Sequence, residues 1–274
     1  MIRSRWLLLT VYVSANVGLM LSLWPANVDW ELWDALPAAL ESGTVYRTPT
    51  EQPFVWSPVA APIMAAVSAV GWWLWTLAHI GAVFLLRDRW LIGLTLTSWP
   101  FWVDTVNGNV FVFVFVTGVL AVRGSRAAGF VYLILLLFMP RPVQVPLAGV
   151  ILWKDRSLWL PFALAFGAHA LAVVGSGYAV EWLTAMSEKQ ATWNLSPAQF
   201  LGWWWLVLGV PLAGWLTWIG RPGLAGLAMS PYVLPPYWLM ALLPRVDVGR
   251  RVLNPHAPRS STASPRTMQP ADEV

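Results

Sequence analysis

Hydrophobic positions in this chain fall in long unbroken runs rather than in alternation or in a narrow helical stripe. Cut by charge or proline, they read 6–24, 58–86, 90–103, 110–122, 128–139, 143–153, 158–176, 200–219 and 224–243. A run of roughly 20 apolar residues crosses the hydrocarbon of a bilayer as a helix. The pattern therefore predicts an all-α, polytopic transmembrane helix bundle of about 9 spans, one unit over 1–243. Several runs are too short to cross upright, most clearly 128–139 and 143–153, which Pro140-Arg141-Pro142 separates. Irregular backbone survives at membrane depth only where protein or a wet cavity satisfies it. Broken helices thus point toward a binding site, as they do in transporters. The run 58–86 reads either as one long tilted helix or as a short re-entrant piece plus a span, with Gly71 as the break. Residues 244–274, rich in Pro, Ser and Thr, read as a disordered tail.

Composition agrees. The 274 residues are 58% hydrophobic and 11% charged, whereas an ordinary soluble domain is about a quarter charged. Many of the 21 Trp sit at the ends of apolar runs, where an amphipathic ring suits the membrane–water interface. A net charge of +4 raises nucleic acid as a partner, but the bases sit in small clusters between apolar runs, the pattern of cytoplasmic loops. No nucleic-acid partner is expected. With no Cys there are no disulfides and no thiolate metal sites. The stretch Trp6 to Trp24 is long enough to span, and no small-residue cleavage site follows it, so it reads as a span rather than a cleaved leader.

Lys/Arg placement sets the expected orientation. With 58–86 as one crossing, one side holds Arg3, Arg5, Arg87, Arg89, Arg123, Arg126, Lys154, Arg156 and Arg221; the other holds only Arg47, Arg141 and Lys189. This places the N-terminus in the cytoplasm of a multi-pass cell-membrane protein, the bacterial plasma membrane being the expected one. The tail disagrees: its Arg245, Arg250, Arg251, Arg259 and Arg266 fall outside by this count, which a miscounted span would explain.

The polar residues then gather at the outer face. The acidic loop 27–57 holds Asp29, Glu31, Asp34, Glu41 and Glu51, five of the 13 acids, against one base, Arg47. Asp104, Asn107 and Asn109 lie in the turn 103–110, Arg141 and Gln144 in the proline-broken turn, and Glu181, Glu188 and Asn194 in the loop 177–199. Loops are polar because water is there, but Arg141, between two prolines in an apolar stretch, needs an anionic partner. A phosphate headgroup or an outer-loop acid would serve. His79 and His169 lie within spans without a second ligand at metal-site spacing, so they read as packing residues and no metal is assigned. Trp33, Trp56 and Trp193 are candidate sugar platforms, whereas 72–73 and 203–205 read as interface belts. Gly-rich phosphate loops are absent, and no cofactor is expected.

Five segments carry a family resemblance. The first loop offers Asp29, Trp33, Gly43-x-x-Tyr46 and Pro53-Phe54-x-Trp56-x-Pro58. An Asn-Gly-Gln turn is matched by Asn107-Gly108-Asn109, and a Lys-Pro-x-Pro break by Met139-Pro140-Arg141-Pro142, with Lys154-Asp155-Arg156 beyond it. An Asn-x-Ser appears as Asn194 and Ser196, and a Ser-Pro as Ser230-Pro231. In order and spacing the chain resembles a short, divergent member of the polyprenyl-phosphate-sugar-dependent membrane glycosyltransferases of the GT-C class, family 87. It departs in having Asn109 for Gln, Met139 for Lys, and Tyr237 as the polar group nearest the expected His.

The resemblance implies inverting transfer of a sugar, mannose being the expected one, from polyprenyl phosphate to a glycolipid, glycan or protein acceptor on the outer face. One carboxylate acts as general base and a cation meets the leaving phosphate. It assigns Asp29 as base with Asp34 as the fallback, Arg141 and Tyr237 as donor-phosphate partners, and Trp33, Tyr46, Trp56, Asn107, Asn109, Gln144 and Asn194 as substrate-binding residues. The alternatives are an inactive relative, a transporter of lipid-linked sugar and, last because the halves show no internal repeat, a channel or secondary transporter.

Overall fold

The computed structural model describes residues 2–22, 28–46, 56–188, 196–202 and 204–248, without the side chains of 2–7, 28–29 and 187–188. The tail beyond 248 lies outside the described residues. Those described are helical and include no strand. In order they form α1 (Ile2–Ser22), α2 (Val28–Ser42), α3 (Ala60–Ser68), α4 (Trp72–Phe84), α5 (Arg89–Leu96), α6 (Trp99–Val106) and α7 (Phe111–Val122). There follow α8 (Arg126–Phe138), α9 (Val145–Lys154), α10 (Trp159–Gly175), α11 (Ala179–Glu188), α12 (Ala198–Leu201), α13 (Trp204–Trp218) and α14 (Pro222–Met229). Short 3-10 segments cover Pro142–Gln144, Arg156–Leu158 and Pro235–Leu242.

One helical stretch, Arg156–Gly175, is long and apolar enough to cross a bilayer alone. It exposes Leu160, Leu164, Phe166, Leu171 and Val174, as a lipid-facing helix does. α3 and α4 pass the same test together but meet at 109°, so the run 58–86 is broken, and broken where Gly71 stands at φ +95. By this measure one or two elements span, against the nine apolar runs. Local interruptions account for the shortness of the rest. The run 90–103 divides into α5 and α6 because Ser98 caps α6 with its hydroxyl on the Phe101 N–H and Pro100 stands in the first turn. Asn16 of α1 then accepts the freed Trp99 N–H at 2.7 Å.

Two expectations are corrected. The first loop is largely helix: α2 buries Trp30, Trp33, Leu36 and Ala39 and exposes Glu31, Asp34, Ala38 and Glu41, an amphipathic pattern that packs on α3. The run 224–243 is a hairpin rather than one helix. Val246 N–H donates to the Gly220 carbonyl at 2.8 Å and Arg245 Nε to the Ile219 carbonyl at 3.0 Å, so the chain returns to where the segment began. Pro231, Pro235 and Pro236 forbid continuous helix there, lacking the N–H that a helix interior needs.

Small residues make the hairpin fit. A Cβ on Gly226 would overlap the Val143 carbonyl, and one on Gly223 the Met240 carbonyl, so α14 wedges directly between the proline break and the 3-10 segment that returns past it. At the opposite end, charge holds turns together. Arg123 bonds Asp88 at 2.9 Å and also the Leu86 carbonyl, and Arg126 bonds Asp155 at 2.9 Å. Hydrogen bonds from the Leu91 and Trp90 N–H groups and from Arg123 hold Asp88 below the usual carboxylate range. Partial burial pushes Asp155 up, but bonds from Arg126 and Ser157 outweigh it and leave that carboxyl lowered too.

Gly226→Ala is expected to lower stability by about 1–3 kcal/mol through overpacking against backbone that cannot turn aside, read by denaturation in detergent. Because both carboxyls titrate lower folded than unfolded, their stabilisation is present above an unfolded pKa of about 4 and fades as pH falls through the folded values. The melting-temperature deficit of an Asp88→Asn, Asp155→Asn double variant should therefore shrink steadily on acidification below that point.

Candidate polar site at the proline break

The break between α8 and α9 places a cation inside the apolar body. Arg141 precedes Pro142, whose ring disfavours helical backbone at the residue before it, and Arg141 is extended at φ −121, ψ 129. Its side chain is 7% exposed. Nη1 donates to the Tyr237 hydroxyl at 2.6 Å, and Cζ lies 5.1 Å from the centre of the Tyr237 ring. Tyr237, fully buried, stacks on Phe111 at 4.8 Å with the planes 29° apart. The two residues assigned to donor phosphate, 96 apart in sequence, thus touch. The hairpin is what delivers Tyr237.

Gln144 follows one 3-10 turn later. Its backbone carbonyl accepts from the Tyr132 hydroxyl at 3.0 Å, while both atoms of its fully buried side-chain amide have no protein partner. An amide can make up to four hydrogen bonds, and leaving them unmade is costly.

The turn after α6 is the second polar group. Helix α6 runs to Val106, so Asp104 is a buried helical residue and not part of the turn expected at 103–110. Its Oδ2 accepts the Val112 N–H at 2.6 Å at the start of α7. Gly108, at φ +79, lies so close to Trp30 that a Cβ there would meet the ring at 3.0 Å. Asn109 uses its side-chain oxygen on the Val110 N–H, and its carbonyl lies 2.9 Å from His79 Nε2. His79 Nδ1 lies 3.0 Å from the Trp75 carbonyl, so both ring nitrogens face main-chain carbonyls. The Asn107 side-chain oxygen is buried without a protein partner.

Trp33 and Trp56 do not present open faces. Trp33 is 1% exposed, with ring centroids of Trp30 and Trp56 at 5.5 Å and Trp75 at 5.2 Å. Tyr46 donates its hydroxyl to the Trp56 carbonyl at 2.7 Å and so closes this aromatic cluster. Asp34 is exposed, off the face of α2 that carries Trp30, Trp33 and Leu36, and is not brought to Arg141. Asp29 is the second residue of α2, next to Trp30 and hence to the Gly108 turn; its side chain lies outside the described residues, as do Asn194 and Trp193. The late motifs meet, with Ser196 Oγ donating to the Ser230 carbonyl at 2.8 Å. A continuous path of contacts thus links Trp30, the 107–109 turn, Phe111, Tyr237 and Arg141.

No known protein family, characterised protein or solved structure matches the chain. Its chemistry is read from these groups alone: one buried guanidinium with a phenol, one buried amide without protein partners, and a turn held by His79 and Asp104. Sequence reasoning named Asp104 among the outer-face polar residues but gave it no role; its bond to the start of α7 depends on helix packing that spacing does not encode.

Tyr237→Phe keeps the ring and its stack on Phe111 but takes the hydroxyl from Arg141. A loss of about 1–3 kcal/mol is expected for a charged donor deprived of a buried partner, measured by chemical denaturation in detergent.

Proposed function

We propose that this chain is a multi-pass membrane glycosyltransferase that moves a sugar, mannose being the expected one, from polyprenyl phosphate to a glycolipid, glycan or protein acceptor at the outer face. Arg141, buried in a proline break and held by Tyr237, is the observation that carries the reading. A fixed cation in a water-poor setting is suited to a departing phosphate, whose charge grows as the bond breaks. The acceptor oxygen attacks the anomeric carbon and Asp29 takes its proton. The bond from that carbon to the phosphate oxygen breaks, and the phosphate leaves with the electron pair toward Arg141. One step of this kind inverts the anomeric centre and needs no second carboxylate.

The hairpin supports the expected orientation. Because Val246 returns to Gly220, Arg245 lies on the side of Arg221 and joins the basic side instead of opposing it. The N-terminus is then cytoplasmic, and the 107–109 turn and the proline break lie toward the outer leaflet.

Asp29→Asn, assayed with polyprenyl-phosphate mannose and membrane acceptors, is expected to lower transfer by about 10²–10⁴-fold, the span attributed to a general base. Arg141→Gln should weaken both donor binding and turnover. Transfer that survives Asp29→Asn at wild-type rate rejects the catalytic reading in favour of an inactive relative or a carrier of lipid-linked sugar.

A further inference from the structure

The basic side of the molecule holds a patch that the proposed reaction does not use. Two ion pairs join three chain reversals there. Arg123 with Asp88 ties the α7–α8 connection to the turn after α4, and Arg126 with Asp155 ties it to the turn after α9. Both carboxylates are spent in doing so. The second oxygen of Asp88 takes the Trp90 and Leu91 N–H groups, and that of Asp155 takes the Ser157 N–H and hydroxyl. The same turns carry Arg87, Arg89, Lys154 and Arg156, which have no hydrogen-bond or ion-pair partner among the described residues. Six bases thus stand against two acids. Arg87, Arg89 and Arg156 are exposed and Lys154 is half-buried, so the surplus charge faces outward.

Depth and neighbours select the anion that meets these charges. Arg156 opens the one described stretch long and apolar enough to cross a bilayer alone, and the exposed indoles of Trp90, Trp153 and Trp159 flank the turns. Trp159 Nε1 donates to the Leu152 carbonyl at 3.1 Å, which holds the entry of α10 against the exit of α9. Exposed indoles at the ends of apolar helices sit at headgroup level, so the cations among them face lipid phosphates rather than a soluble polyanion. We propose that this patch binds the headgroup of an anionic phospholipid of the cytoplasmic leaflet. Juxtamembrane bases attract such lipids with about fivefold in affinity per Lys or Arg. A zwitterionic headgroup gains less, because its own ammonium is repelled by the same cations. The inference rests on the membrane reading and not on sugar transfer. Arg87 makes it testable without loss of fold. At φ +53 it is the one non-glycine in the left-handed region among the described residues, a backbone that glycine adopts with less strain.

The test titrates the full-length protein in neutral detergent with short-chain phosphatidylglycerol and phosphatidylcholine at about 0.15 M salt. Wild type is expected to bind phosphatidylglycerol about tenfold or more tightly than phosphatidylcholine. An Arg87→Gly, Lys154→Gln double variant should lose most of that preference and keep its phosphatidylcholine affinity. Without lipid it should melt no lower than wild type, since neither side chain has a protein partner among the described residues and glycine suits the turn. Arg221→Gln removes a base of the same side that lies outside the three turns, and should leave the preference unchanged. Equal wild-type affinity for the two lipids, a preference that survives the double variant, or an equal loss in Arg221→Gln overturns the patch. Protein that stays monodisperse once detergent is removed overturns the membrane reading as well.

Discussion

A guanidinium enclosed by an apolar chain is the constraint from which the rest of this architecture follows. Burying such a charge costs several kcal/mol unless hydrogen bonds meet it, so Arg141 must be supplied with a partner that comes from elsewhere in the sequence. Tyr237 is one such partner, and it reaches Arg141 because the last apolar segment doubles back. The doubling back in turn requires prolines to stop the helix and glycines to let α14 lie against bare backbone at Val143 and Met240. A cation, a phenol, a break and a set of absent side chains are therefore one device.

The same economy governs the other polar turn. Asp104 caps the start of α7, His79 takes the Asn109 carbonyl, and Gly108 allows Trp30 to close on the turn. Asp104 and His79 thus tie the turn to two neighbouring helices, and the aromatic cluster around Trp33 packs beside them. Several buried side-chain atoms stay without a protein partner, among them the Gln144 amide, the Asn107 oxygen, His169 Nε2 on α10 and Trp205 Nε1 on α13.

Much of this was legible in the amino-acid order, and the misreadings share one cause. Helix as the sole element and the proline interruption at Arg141 follow from hydropathy and from the steric rules of Gly and Pro, and the break at Gly71 was one of the two readings they left for 58–86. Hydropathy has no sense of direction, however. It marks 224–243 as apolar without saying whether the segment crosses or returns, and that depends on whether Gly220 meets Val246. Likewise the acids of 27–57 looked like a loop because charge was counted before periodicity, although Trp30, Trp33 and Leu36 already lay on one helical face. The family likeness named Arg141 and Tyr237 each as a donor-phosphate partner; that the two touch, with the Tyr237 ring stacked on Phe111, depends on tertiary contacts that no local pattern encodes.

The right-angled joint between α3 and α4 has a consequence for the surrounding lipid. Helix α4, whose outward side carries Trp73, Leu74, Leu77 and Phe84, is 13 residues long, or about 20 Å at 1.5 Å per residue. The Arg156–Gly175 stretch has 20 residues, or about 30 Å. Apolar faces of such unequal height make acyl chains compress beside the shorter helix, or make the body tilt.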